Sequence, residues 1–110
     1  MAIFHIVLFQ FKADANAEEV KVVCARFLAL KDSCIHPTSK APYIKSLKAG
    51  KDNSPEGLQN GMTHGFVVEF LSAEDRDYYV KEDPAHQAFV KSTGDVLEKP
   101  IVLDFEDGVY

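Results

Sequence analysis

Residues 2–11, Ala-Ile-Phe-His-Ile-Val-Leu-Phe-Gln-Phe, decide the fold of this chain. The side chains alternate between two sides of an extended segment: Ile3, His5, Val7, Phe9 and Phe11 against Phe4, Ile6, Leu8 and Gln10. Because the stretch is rich in β-branched and aromatic residues, it predicts a strand with two apolar faces. Such a strand needs cover on both faces, and a chain of 110 residues has helices enough for one. The second face therefore predicts a partner chain.

The segment after this strand predicts a helix and then two more strands. Asn16, followed three residues later by Glu19, resembles a capping box, and an apolar stripe at helical spacing predicts a helix from Ala17 to about Ser33. Residues 43–49 predict a second, more polar strand, whose lysines are typical of an edge or solvent-facing position. Residues 62–71 alternate again and predict a strand that carries His64 on its aromatic-rich face.

The last third of the chain predicts a broken helix and a final strand. Ser72 with Asp75 caps a helix that breaks near residues 81–83 and restarts at Pro84. We expect Pro100 to open the last strand, over residues 101–106. The resulting βαββαβ order is that of the ferredoxin-like α+β fold, a four-stranded antiparallel sheet with its helices on one face.

Length and composition exclude several classes of protein. A chain of 110 residues with a formal net charge of −5 predicts one domain, residues 1–110, that does not bind nucleic acid, since it has no basic arm. The longest apolar run is far too short to span a membrane and lacks the charged start of a signal peptide. The two cysteines, Cys24 and Cys34, form no metal or disulfide spacing motif. We therefore expect a cytoplasmic protein with reduced thiols.

Residues 83–89, Asp-Pro-Ala-His-Gln-Ala-Phe, place a histidine in the first turn of a helix. Asp83 is a favourable N-cap and Pro84 suits the first helical position. His86 then belongs to the same stripe as Phe89, so its imidazole faces the core. Burial and the positive end of the helix dipole both favour neutral imidazole, which is the form a general base requires.

Four stretches resemble the stress-responsive A/B barrel family, often called Dabb. They are residues 4–12 (Phe-His-Ile-Val-Leu-Phe-Gln-Phe-Lys), residues 54–57 (Ser-Pro-Glu-Gly) with 62–64 (Met-Thr-His), residues 67–70 (Val-Val-Glu-Phe) and residues 83–89. The resemblance implies a ferredoxin-like unit whose exposed sheet face pairs with a second copy, giving a homodimeric α+β barrel.

The family resemblance also implies chemistry, because a plant polyketide cyclase of similar sequence closes a linear polyketide by an intramolecular aldol step without a cofactor. The general base of that enzyme corresponds to His86, and an acidic residue of its last strand to Asp104. Its oxyanion-holding tyrosine corresponds to Tyr79, with Tyr78 as the alternative. Two departures are Phe27, in place of a pocket tyrosine, and Asp83, in place of a histidine.

Together these observations predict a small, mostly apolar pocket between the helices and the sheet. The expected catalytic residues are His86 and Tyr79, and the expected substrate-binding residues are His5, Val7, Phe27, His64, Phe66 and Phe89. Convergence of three histidines would also fit zinc, but no ligand pair at metal spacing supports a metal. Similar dimeric barrels also include haem-degrading and anthrone-type monooxygenases, and the resemblance implies a tryptophan in the haem-degrading site, which this chain lacks. Gly50-Lys51 lacks the spacing of a phosphate loop.

Two functional hypotheses remain. The first is cofactor-free acid/base cyclisation of a polyketide-like β-dicarbonyl compound. The second is a non-catalytic stress-associated or small-ligand-binding dimer whose histidines are structural. An open cavity that reaches His86 favours the first, and an interior filled by side chains such as Phe27 favours the second.

Overall fold

The computed structural model describes residues 1–110 as seven elements around one sheet. In chain order they are β1 (Ile3–Phe11), α1 (Ala17–Ser33), β2 (Ile44–Lys51), β3 (His64–Phe70), α2 (Ala73–Lys81), α3 (Pro84–Ser92) and β4 (Leu97–Glu106). None of the three helices combines the length and the apolar character needed to cross a bilayer.

The four strands form one antiparallel sheet in the order β2-β3-β1-β4. β1 pairs with β3 on one side and with β4 on the other, so the segment with two apolar faces is a central strand. β2 is an edge strand, as its lysines predicted. The ferredoxin-like α+β fold expected from the sequence is therefore confirmed.

The last strand begins earlier than the sequence predicted. β4 starts at Leu97 instead of Ile101, and Pro100 lies inside it, opposite Phe9 of β1. Proline lacks an N–H to donate, but β4 is the outer strand of the sheet and has only one neighbour. An edge strand therefore accommodates a proline that would disrupt a central one.

The two faces of the sheet have different surroundings. On the inner face, beneath the helices, Val7, Phe66 and Val68 are at most 5% exposed. On the outer face, Phe4 stacks on Phe105 with ring centroids 5.4 Å apart, and Leu103 is 62% exposed. The outer face thus carries apolar side chains that no part of this chain covers.

Local capping signals set where the helices begin. The side chain of Asn16 accepts the Glu19 N–H at 2.8 Å, and Glu19 accepts the Asn16 N–H at 3.1 Å, which completes the predicted capping box of α1. Ser72 caps α2 by accepting the Asp75 N–H. The break between α2 and α3 falls at residues 82–83, as predicted.

Candidate functional site

A cavity of about 460 Å³ lies between helices α2 and α3 and strands β1 and β4. Its wall includes six residues expected from the sequence: His5, Val7, Phe27, Tyr79, His86 and Phe89. It opens beside the edge strand β4, where Val102 lines it and is 56% exposed. The interior is therefore open up to His86, although Phe27 is one of its walls.

Tyr79 and His86 form a stacked pair on the cavity wall. Their ring centroids are 4.0 Å apart and their planes differ by 27°. The Tyr79 hydroxyl and the Nδ1 of His86 are both buried and have no hydrogen-bond partner in the protein. Unpaired buried polar atoms are rare in folded proteins because each one costs desolvation free energy. This stack therefore holds two unpaired polar atoms at the cavity wall.

The environment of His86 favours its neutral form. Burial lowers the pKa of the His86 imidazole, and the nearby imidazole of His5 acts in the same direction. The backbone of Tyr79 and the carboxylate of Asp83 oppose the lowering of this pKa. Because an ordinary histidine pKa is about 6.5, a lowered one leaves the ring neutral at pH 7. Neutral imidazole can accept a proton from a substrate.

The phenol of Tyr79 also stays protonated. Burial raises the pKa of its hydroxyl, and Cys34 and Asp83 raise it further. A protonated phenol can donate a hydrogen bond to an oxygen that develops negative charge. Tyr78, the alternative considered from the sequence, does not line the cavity and instead packs against Tyr43 with centroids 5.7 Å apart.

His5 belongs to a hydrogen-bonded chain with Asp104 and Arg76. Its Nδ1 lies 2.7 Å from Oδ1 of Asp104, its cross-strand neighbour. Since a carboxylate can only accept, Nδ1 carries a proton and donates this hydrogen bond, so Nε2 is the ring nitrogen without a partner. The other oxygen of Asp104 accepts from Nη1 of Arg76 at 2.9 Å. The ring of His5 also packs edge-on against Tyr79, so Tyr79 lies between two imidazoles.

His64 and Phe66 do not line this cavity, contrary to the sequence-based expectation. His64 has the predicted inward parity, but it lies opposite Phe9, whereas His5 lies opposite Val68. Four residues of β3 separate these levels, about 13 Å at 3.3 Å per residue.

His64 instead contacts its own surroundings at the far end of the strand. Its ring packs edge-on against Phe11, and its Nδ1 lies 2.8 Å from Oγ1 of Thr63. The three histidines therefore do not converge, and no cluster of His, Cys, Asp or Glu side chains has the geometry to hold a metal ion.

Phe66 is part of the packed core behind the cavity. It stacks on Phe27 with centroids 4.1 Å apart and planes 8° apart, and it is 1% exposed. Phe27 is thus held rigidly from behind while its other side contacts Phe89 and the cavity.

Sequence reasoning missed the charged residues of α2 that reach the cavity, Arg76 and Asp77. Nε of Arg76 donates to Oδ1 of Asp77 at 2.8 Å. The available signal was Asp104, an acidic residue with inward parity on an apolar strand, which calls for a cationic partner on a covering helix.

A buried carboxylate fixes the start of α3 and with it the position of His86. Asp83 is 1% exposed, and its Oδ1 accepts the N–H groups of Ala85 at 2.8 Å and of His86 at 3.4 Å. Its Oδ2 accepts the hydroxyl of Tyr43 at 2.6 Å. The predicted cap therefore has a second function, since it ties the end of α2 and the start of α3 to residues before β2.

Known proteins resemble this chain over almost its whole length. The stress-response A/B barrel domain-containing protein HS1 of Arabidopsis thaliana is 30% identical over 102 residues, covering 93% of this chain and 86% of that protein. The hydroxynitrile lyase of Passiflora edulis has a similar structure, with a TM-score of 0.80, 24% identity and coverage of 99% of this chain and 96% of that one.

A dimeric protein of unknown function with a ferredoxin-like fold, from Bacteroides fragilis, matches with a TM-score of 0.68 and 25% identity, covering 96% of this chain and 95% of that one. A sequence model described as the stress responsive A/B barrel domain matches residues 3–107. This chain therefore belongs to the stress-responsive A/B barrel domain family.

Proposed function

We propose that this protein is a cofactor-free acid/base catalyst that cyclises a polyketide-like β-dicarbonyl compound by an intramolecular aldol step. The observation that carries the proposal is the Tyr79–His86 stack, which brings a neutral imidazole and an unpaired phenol together on a mostly apolar cavity wall. An apolar pocket with a few convergent polar groups is typical of small-molecule sites.

In the proposed reaction, His86 removes a proton from the methylene between two carbonyl groups. The enolate carbon then attacks a distant carbonyl carbon of the same substrate molecule. This step forms the C–C bond of the ring and turns the attacked carbonyl into an alkoxide. The alkoxide recovers the proton from the His86 imidazolium. Tyr79 donates a hydrogen bond to the enolate oxygen, which stabilises the negative charge as it develops. Positioned proton transfer of this kind contributes about 10²- to 10⁴-fold in rate.

His5 supports this chemistry from the opposite side of Tyr79. Its Nδ1–H donates to Asp104, so Nε2 is the ring nitrogen that can accept or relay a proton. A carboxylate partner orients an imidazole. The two histidines therefore have different roles. Burial keeps His86 neutral, whereas the Asp104 carboxylate orients His5.

The test compares His86→Ala with His64→Ala, which removes the same side chain outside the cavity. Turnover of a linear polyketide thioester should fall at least about 100-fold in His86→Ala and stay near wild type in His64→Ala. Equal loss in both variants, or none in either, would refute the role of His86. A cyanohydrin belongs in the substrate panel, because the hydroxynitrile lyase shares this fold. Its cleavage without any cyclisation would replace the proposed reaction by cyanohydrin cleavage.

The second candidate is a non-catalytic, stress-associated or ligand-binding protein, and the buried Tyr79 hydroxyl favours it. If no ligand reaches the Tyr79 hydroxyl, this side chain contributes only to core packing. Under this reading His86→Ala lowers the melting temperature, and no compound of the panel is converted.

We also propose that the chain forms a homodimer through the outer face of its sheet. Leu103 and Phe105 are exposed there, and the Bacteroides fragilis relative is dimeric. Leu103→Asp should shift sedimentation from dimer to monomer, while Val22→Asp, at an exposed apolar position of α1, should not. A wild-type monomer at micromolar concentration would contradict the proposal.

A cytoplasmic location fits the two cysteines, since Cys24 and Cys34 are both free thiols. A tagged chain that enters a secretory compartment would contradict this part of the proposal.

A further inference from the structure

The charged groups around the cavity are few, and they neutralise one another only in part. Its charged lining residues are Arg76, Asp77 and Asp104, and no other arginine or lysine reaches its wall. Two carboxylates and one guanidinium leave one negative charge in excess. The rest of the wall consists of apolar, aromatic and small polar side chains and the neutral imidazole of His86.

The single cation of the wall is already committed. Arg76 donates from Nε to Asp77 at 2.8 Å and from Nη1 to Asp104 at 2.9 Å. These two hydrogen bonds raise the pKa of the Arg76 guanidinium above its ordinary value, so it stays charged within the pair of carboxylates. Asp104 in turn holds His5. Arg76 therefore stabilises the orientation of His5, and its positive charge is already shared between two carboxylates.

A ligand that enters this cavity must exchange water for apolar walls. An ionised group makes that exchange only when a buried counter-charge replaces its hydration, and here the one cation of the wall, Arg76, is already paired with two carboxylates. A carbonyl group needs only a hydrogen-bond donor, which the Tyr79 hydroxyl can provide.

We propose, on the basis of the function proposed above, that the cavity selects uncharged carbonyl compounds with an apolar chain and rejects the corresponding carboxylates, with the excess negative charge of Asp77 and Asp104 as the determinant. The carboxylates of Asp77 and Asp104, which we call the acidic rim, thus repel ligands that carry a negative charge. The part of a substrate that lies inside is a neutral ketone, aldehyde, ester or amide.

The experiment uses two probes of the same length, heptanamide and heptanoate, and measures their affinity for the full-length protein at pH 7.5 by calorimetry. The amide should bind at least about tenfold more tightly than the carboxylate. Asp77→Asn removes one rim charge, so it should tighten heptanoate binding several-fold, a larger change than in heptanamide binding. Asp32→Asn, on the exposed surface of α1, changes the net charge equally and should alter neither.

Equal or tighter binding of heptanoate to the wild type would overturn the proposal, and so would failure of both probes to bind at millimolar concentration. An equal response of Asp77→Asn and Asp32→Asn would also overturn it, because net charge alone would then explain the effect. Selective amide binding without turnover of any polyketide would leave the ligand class standing and refute the catalytic function alone.

Discussion

Tyr43 and Tyr79 are both buried tyrosines, yet only the Tyr43 hydroxyl has a hydrogen-bond partner. The hydroxyl of Tyr43 donates to Asp83 at 2.6 Å, whereas the hydroxyl of Tyr79 has no partner. Burial raises the pKa of both phenols, with a further rise from Asp83 in each case, so both remain protonated donors. A satisfied buried donor stabilises the fold, while an unsatisfied one destabilises it and persists where function requires it.

The same contrast separates two regions that meet at α3. In the Asp83–Tyr43 cluster at the start of α3, both carboxylate oxygens of Asp83 accept hydrogen bonds, whereas the Tyr79–His86 stack one turn away has two unpaired polar atoms. We infer that the first region provides the stability that the second lacks. Substitutions that remove the polar groups should therefore lower the free energy of unfolding in the first region and raise it in the second.

The largest effect is expected from Asp83→Ala. This change removes the cap of α3 and leaves the Tyr43 hydroxyl buried without an acceptor, so the free energy of unfolding should fall by about 3 kcal/mol. Urea unfolding measures the loss. Asn16→Ala, which removes the exposed cap of α1, is the matched control and should cost only about 1 kcal/mol. Equal losses would mean that Asp83 acts as an ordinary cap.

Tyr43→Phe should have the next largest effect. It deletes one hydroxyl and leaves Oδ2 of the buried Asp83 carboxylate without its donor, which should cost about 2 kcal/mol. The residue is 8% exposed, so water replaces the lost donor poorly. A melting temperature equal to that of the wild type would show that the Tyr43–Asp83 hydrogen bond does not stabilise the fold.

The sequence predicted the fold well because the fold depends on local patterns. Alternation in residues 2–11 indicated the central strand, and the Asn16 and Ser72 caps placed the starts of α1 and α2. The predicted start of β4 was wrong, because Pro100 was interpreted as the residue before the strand. An edge strand tolerates proline, and edge position is a property of the whole sheet.

The site was harder to predict because it depends on contacts between distant segments. Parity gave the face of His64 correctly, but only the register of β1 against β3 shows that it lies at the far end from His5. The Tyr43–Asp83 hydrogen bond spans 40 residues and has no local signal. Periodicity reports which face a side chain occupies, and depth along an element requires the tertiary pairing.

Tyr79→Phe should act in the opposite direction to Tyr43→Phe. Removing a buried hydroxyl that has no partner relieves its desolvation cost, so stability should stay constant or rise by about 1 kcal/mol. Turnover in the proposed cyclisation should fall, because the oxyanion donor is lost. A loss of stability equal to that of Tyr43→Phe would show that the Tyr79 hydroxyl has a partner in solution and would remove the contrast between the two tyrosines.

The smallest effect is expected in the pH dependence of stability, and it follows from His86. Burial lowers the folded-state pKa of His86, so the unfolded chain takes up a proton first as the pH falls below about 6.5. The stability that neutral His86 contributes is complete above that pH and is lost as the pH falls towards the folded-state pKa. His86→Gln has no such proton to gain, so its stability should decline less than that of the wild type between pH 7.5 and pH 5.5. The pKa of His64 is also lowered, by burial and by Lys51, so His64→Gln should show a separate decrease in acid sensitivity. Parallel stability curves for the wild type and His86→Gln would mean that His86 titrates alike in both states, which would remove the physical basis for a neutral base in the cavity.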